Sequence, residues 1–114
     1  AMKIARDVVK NLFKALHDKQ YRTAFDYFCP EIQNEIGYDR FVSNLSKTAD
    51  IGMQYCGVID YEGNLIGISA KVDEMIRLDN GKLDPRIFEY RFIVNKIQSG
   101  WKIVAMTSKD ISYK

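Results

Sequence analysis

A chain of 114 residues, 46% apolar and 28% charged, carries enough material for one core and is too apolar and too mixed for a disordered or collagen-like polymer. A net charge of +2, with no run of Lys/Arg longer than two, leaves no electrostatic footprint for nucleic acid or an anionic membrane. No apolar stretch nears the roughly 20 residues that span a bilayer.

The first half has helical periodicity. Ile4, Val8, Leu12 and Leu16, flanked by Ala5, Val9 and Phe13, make one apolar stripe, with Lys3, Arg6, Asp7, Lys10 and Lys14 outside it. His17-Asp18-Lys19-Gln20 interrupts the stripe, and Asp18 is the expected cap of the next helix. Tyr21, Ala24, Phe25 and Phe28 form a second, shorter stripe, which Pro30 is expected to end. After Gly37, Tyr38, Phe41 and Leu45 predict a third short helix.

From Ile51 onward the period is two. Ile51, Met53, Tyr55, Gly57, Ile59 and Tyr61 alternate up to a Gly63-Asn64 hairpin turn. Ile66, Ile68, Ala70, Val72, Ile76 and Leu78 share a face of the next strand. Phe88, Tyr90, Phe92 and Val94 share one on the third, and Trp101, Ile103, Ala105 and Thr107 one on the fourth. Matching apolar faces across the turns predicts Ile59 opposite Ile68, Tyr55 opposite Val72, Val94 opposite Ala105 and Phe92 opposite Thr107, the last turn being Ser99-Gly100. A two-residue Asn80-Gly81 hairpin would set an apolar face against a polar one. An odd loop over Asn80–Asp84 restores the match and pairs Val72 with Phe92.

Helices followed by a meander with one apolar face predict a single α+β domain over residues 1–114, with three N-terminal helices packed on the concave face of a curled four-stranded antiparallel sheet. The stretches NLFKALHDKQYRTAFDYF (Asn11 to Phe28), YDRFVSNL (Tyr38 to Leu45) and SGWKIVAM (Ser99 to Met106) resemble the nuclear transport factor 2-like superfamily. The resemblance is greatest to its small bacterial, often lipoprotein-borne branch. Each stretch is a packing signature, so it speaks to fold before function. Ala1 ahead of Met2 reads as an expression remnant, which makes an exported cell-envelope domain with its signal removed the expected location.

The resemblance implies that an enzyme of this type places an Asp, or an Asp-His pair, inside the cone as a general base with an oxyanion donor nearby. No Asp falls on an inward position here: Asp60 and Asp73 alternate outward, and Asp50, Asp79 and Asp84 lie at turns. His17, the one histidine, ends the first helix in a solvated or capping position. No metal-ligand spacing or phosphate-binding glycine motif occurs, so no cofactor is expected. Cys29 and Cys56 read as two buried free thiols, with a disulfide as the alternative.

The preferred reading is therefore a non-catalytic module that binds a small apolar ligand or a partner segment in the cone, or assembles through its sheet. The alternative is a cone-type isomerase or dehydratase with Glu74 as an atypical base. Glu74 interrupts the apolar face of its strand, with Met53 expected on one side, Tyr90 on the other and Lys109 beyond. Three readings of it stay open: a wet overhang past the helices, a polar cavity wall made with Tyr90 and Tyr55, or a bulge. On the other face, Ile87, Ile93, Ile97, Val104 and Met106 form an apolar patch, with Ile93 opposite Met106, that predicts a homodimer.

Overall fold

The computed structural model describes residues 1–112. Four helices come first, α1 (Met2–His17), α2 (Tyr21–Phe25), α3 (Pro30–Ile36) and α4 (Tyr38–Asn44). Four strands follow, β1 (Thr48–Glu62), β2 (Leu65–Arg77), β3 (Leu83–Ile97) and β4 (Gly100–Asp110), in one sheet of order β1-β2-β3-β4. Every neighbouring pair is antiparallel. The α+β architecture expected from the periodicities is the one observed, with one more helix than predicted.

That extra helix begins at Pro30. Proline lacks an N–H, but the first turn of a helix has no partner for one, so Pro30 opens α3 instead of merely closing the segment before it. Gly37, at φ +78°, then separates α3 from α4. Asp18 does not cap α2, whose N-cap is Gln20. It closes α1 instead and pairs with Lys14 at 3.6 Å. Behind it Lys19 sits at φ +58°, so that its N–H reaches Leu16 O (3.1 Å) and the Gln20 N–H reaches Ala15 O (2.8 Å). This is a Schellman ending with lysine where glycine is usual.

The buried face of α1 is Ala5, Val8, Val9, Leu12, Phe13, Ala15 and Leu16. Ile4, predicted on the stripe, is 49% exposed, because the buried arc is centred on the Ala5–Val9–Leu12 side. This arc lies across the inward face of the sheet, against Ile66, Ile68, Ala70 and Val72 of β2, Phe92 and Val94 of β3 and Ile103 of β4. Each large side chain so buried contributes about 1.5–3 kcal/mol. The free edge of β4 is closed by the chain leaving α2. Cys29 N–H donates to Ile103 O and Ile103 N–H donates to Tyr27 O, both at 2.9 Å.

Bulges change the predicted register. The Gly63-Asn64 turn is observed, since Glu62 pairs with Leu65. Along β1, however, shifts fall between Thr48 and Asp50, Met53 and Tyr55, and Val58 and Asp60. The partner of Ile68 is therefore Val58 and not Ile59, and the partner of Val72 is Met53 and not Tyr55. The β3–β4 turn is Gln98-Ser99, one residue earlier than predicted, and a further shift sits at Val104. Val94 thus pairs with Ile103, Phe92 with Met106 and Ile93 with Ala105. Each inserted residue reverses which side chains face inward beyond it and adds local twist, which curls the sheet.

The β2–β3 loop has the odd length that the parity argument requires. It is shorter than predicted: Leu78 N–H donates to Lys82 O (2.9 Å) around Asp79, Asn80 and Gly81, with Gly81 at φ +82°. Glycine supplies the left-handed residue that a three-residue hairpin needs. Val72 therefore faces Phe88 rather than Phe92. The displacement is even, so every inward residue stays inward.

Candidate functional site

Glu74 faces inward in β2, as its phase predicts, and is 7% exposed. The wet-overhang and bulge readings both fail. Its ladder neighbours are Ile51 and Arg86 rather than Met53 and Tyr90. Tyr90 lies opposite Ala70, yet its phenol extends along the strands and donates a hydrogen bond to Glu74 Oε2. Lys109 is turned to the outer side opposite Glu89, and Ser108 occupies the rung beside Tyr90.

Tyr55 is not part of this wall. The bulge after Met53 pairs it with Lys71 on the outward face, where it is 62% exposed. The rung opposite Val72, expected for Tyr55, is held by Met53, and the next inward residue past the bulge is Cys56, half-buried opposite Ala70. Both cysteines are free, and only Cys29 is buried.

Packing holds the Tyr90 ring in place. Phe13 of α1 meets it edge-on at 5.3 Å, and Phe92 stacks on it at 5.9 Å with the planes 8° apart. Burial pushes the Glu74 carboxyl above the usual carboxylate range. The bond from Tyr90 pulls it partly back, and the charge of Asp110 adds to the rise. Burial also pushes the Tyr90 hydroxyl upward, reinforced by the Glu74 charge and the shared hydrogen bond, so the phenol stays protonated and donating.

Around this pair the sheet turns polar. Arg86 Nε donates to Asp84 at 2.7 Å and its Nη1 to Asp110 at 2.9 Å. Hydrogen bonds from Ser112, with help from Arg86, hold the Asp110 carboxyl below its ordinary value. His17 ends α1 here, its Nδ1 2.9 Å from Ile51 O and 3.1 Å from Asp50 Oδ1. Both are acceptors, so Nδ1 carries the proton. A groove of about 580 Å³ opens at this rim, lined mainly by the outward-facing Asp50, Gly52, Asp73, Met75, Pro85 and Ile87, with His17, Glu74, Arg86 and Ser112 completing it; Tyr90 does not line it. A second groove of about 440 Å³ runs between α1 and β1, past Lys10, Phe13, Lys14 and Met53, and shares His17 and Gly52 with the first.

The geometry contains one buried carboxylate, one committed phenol donor, and an open rim of charged groups over an aromatic wall. Sequence reasoning had missed the Asp84–Arg86–Asp110 cluster and had placed no Asp inward, whereas Asp84 opposite Ile76 and Asp110 opposite Phe88 both take inward rungs. The signal for the cluster was the charged alternation Asp84, Arg86 in phase with Phe88 and Tyr90, which continues the inward face past the apolar run.

A domain of helices wrapped by a curled four-stranded meander, with a polar end to its cone, is the nuclear transport factor 2-like fold. A nuclear transport factor 2-like protein with a cystatin-like fold from Novosphingobium aromaticivorans superposes with a TM-score of 0.68 at 9% identity, over 96% of this chain and 80% of that one. A ketosteroid isomerase-like protein from Erwinia carotovora atroseptica gives 0.74 at 12% identity, over 97% and 96%. A candidate calcium/calmodulin-dependent protein kinase II association domain from Xanthomonas campestris gives 0.67 at 17% identity, over 91% and 83%. In sequence, the chain is 29% identical over 59 residues to slob2 of Dictyostelium discoideum, assigned as an inactive serine/threonine-protein kinase. That match covers 52% of this chain and 10% of the relative. No family model matches the sequence. Among the described residues no helix is long and apolar enough to cross a membrane.

Proposed function

We propose that this chain is a non-catalytic domain that binds a small ligand at the polar end of its cone, with Glu74 and Tyr90 as the anchoring groups. One observation carries the reading. Glu74 is the charged side chain buried among the described residues, in a strand whose other inward positions are Ile66, Ile68, Ala70, Val72 and Ile76, and it borders a groove of about 580 Å³. A carboxylate kept there costs stability that an apolar residue would not, and perturbed buried groups beside clefts concentrate at functional sites.

A second reading uses the same pair. The raised proton affinity of Glu74 suits a general base for isomerase or dehydratase chemistry. Against it, Tyr90 spends its only proton on Glu74 and so offers no free donor to a developing oxyanion. Assembly is a compatible property. Ile93 is 42% exposed on the outward face, beside the half-buried Ile87, Ile97 and Val104, and these support a homodimer through the sheet. Met106 leaves that patch, because the Val104 bulge pairs it with the inward-facing Phe92.

The test is an amide-NMR titration of the protein with a panel of small aromatic amines, acids and phenols. Shift changes should cluster at Glu74, Arg86 and Gly52 and vanish in a folded Glu74→Gln variant. A cluster elsewhere, or one indifferent to Glu74→Gln, would refute the site.

A further inference from the structure

The groove between α1 and β1 stands apart from the Glu74 pair and has a different chemistry. Lys10, Phe13, Lys14 and His17 recur at helical spacing, so one stripe of α1 forms its wall on that side. Met53, an inward residue opposite Val72, joins the stripe from β1. The apolar floor is fixed in place. Phe13 is buried, and its ring meets Tyr90 and Phe92 edge-on at 5.3 and 5.8 Å.

The charges at its rim are positive. Lys10 forms no ion pair among the described residues, and Lys14 makes only a solvent-exposed one with Asp18 at 3.6 Å, which an incoming anion can replace. Among the described residues no carboxylate lines the groove. The positive field extends along the same strand to Cys56: burial pushes its thiol up, Lys10 and Arg6 pull it partly back, and Asp7 adds to the rise. At the other end Asp50 is engaged by His17 at 3.1 Å. The backbone beside the groove offers little to an added peptide strand. Ala49 O and Ile51 O already accept from Lys19 and His17, the Ile51 N–H donates to Asp50, and a bulge follows Met53.

We infer that this groove is a second site, for a free aliphatic carboxylate: the chain lies against Phe13 and Met53, and the carboxylate sits between Lys10 and Lys14. Its volume of about 440 Å³ falls within the range of small-molecule sites, about 300–1,000 Å³. Met53 supplies an unbranched side chain that adapts to chains of different length. The site goes beyond the Glu74 reading and does not need it, because Glu74 and Arg86 line the other groove and not this one.

The experiment titrates hexanoate, hexanol and hexylamine, one chain length with a negative, neutral or positive head, into the protein by amide NMR at low salt. Hexanoate should bind about fivefold more tightly than hexanol and hexylamine more weakly than either, with shifts along residues 10–17 and at Met53. Added salt should bring hexanoate toward hexanol. Octanoate should improve on hexanoate by about three- to tenfold, as its two further methylenes are partly or fully buried. Lys10→Gln with Lys14→Gln, exposed changes to another good helix former, should bring hexanoate to the level of hexanol and leave hexanol unchanged. Equal affinities for the three heads, or a double variant that keeps the preference, would overturn the inference. So would acetate matching octanoate, which would mean an anion held by lysines alone, or a glutamate-rich peptide displacing octanoate. Shifts at Lys10 and Met53 that grow with protein concentration alone would overturn it too, since a second copy would then fill the groove. The Glu74 site would still stand on its aromatic panel, whose shifts are read at Arg86.

Discussion

Two stretches of the same inward face behave differently. From Ile66 to Val72, β2 meets Val94, Phe92, Tyr90 and Phe88 under α1, and the β2 residues are 0–1% exposed. From Glu74 to Ile76 the strand keeps its phase, but its partners become Arg86 and Asp84. The backbone geometry is continuous. What changes is the lining: α1 ends at His17 beside the Ile51–Glu74 rung, and the inward positions that follow on β3 are charged. The alternation of a strand determines its faces, and the residues of the neighbouring strands determine whether a face stays apolar along its length.

The largest effect that would sharpen this contrast is in the dry stretch. Phe92→Ala should cost about 3–5 kcal/mol in urea denaturation, and Phe88→Ala, half-buried nearer the polar end, no more than about 2 kcal/mol. Equal losses would erase the boundary between the stretches. Next in size is Tyr90→Phe, which keeps the ring packing but strips Glu74 of its donor. It should destabilise by about 1–3 kcal/mol at neutral pH, because the buried carboxylate is left short of a partner. The loss should shrink toward low pH, where Glu74 is protonated. A pH-independent loss would mean that the hydroxyl matters for some other reason.

The smallest effect concerns the turn that ends α1 beside this region. Lys19 holds a left-handed conformation that costs a residue with a Cβ about 1–2 kcal/mol, and it recovers part of that through Nζ bonding to Ala49 O at 3.1 Å. Lys19→Gly should raise the stability by roughly 0.5 kcal/mol, the net of the two. A clear drop would show that the Ala49 contact anchors the start of β1.

The fold was legible because parity is an integer property. Val72 and Glu74 face inward whether the β2–β3 loop has three residues or five. The bulges were not legible, since one extra residue leaves no compositional mark. Misassigned side chains trace to them: Tyr55 and Ile59 lie past the shift after Met53, and Met106 and Lys109 past the one at Val104. The Glu74–Tyr90 pair was found on an incorrect register. A five-residue β2–β3 loop would set the two on adjacent strands at one rung, whereas the phenol spans the offset from the Ala70 rung. Long aromatic side chains forgive register errors that short ones do not.

The central claim is that Glu74 is retained for binding at the expense of stability, and denaturation of the wild type and Glu74→Gln across pH tests it most directly. Burial raises the folded-state affinity of Glu74 for a proton, so its contribution to stability is most favourable below its unfolded value and declines as pH rises toward the folded one. Asp110, held low, works in the opposite sense: its contribution is present above its unfolded value and is lost as pH falls. Comparing the two proteins cancels Asp110 and isolates Glu74. Gln accepts the Tyr90 hydrogen bond without a charge, so the variant should be more stable at neutral pH by on the order of 1 kcal/mol, with the gap closing in acid. A variant less stable than the wild type at neutral pH would identify the ionised Glu74 as a structural support and contradict the account.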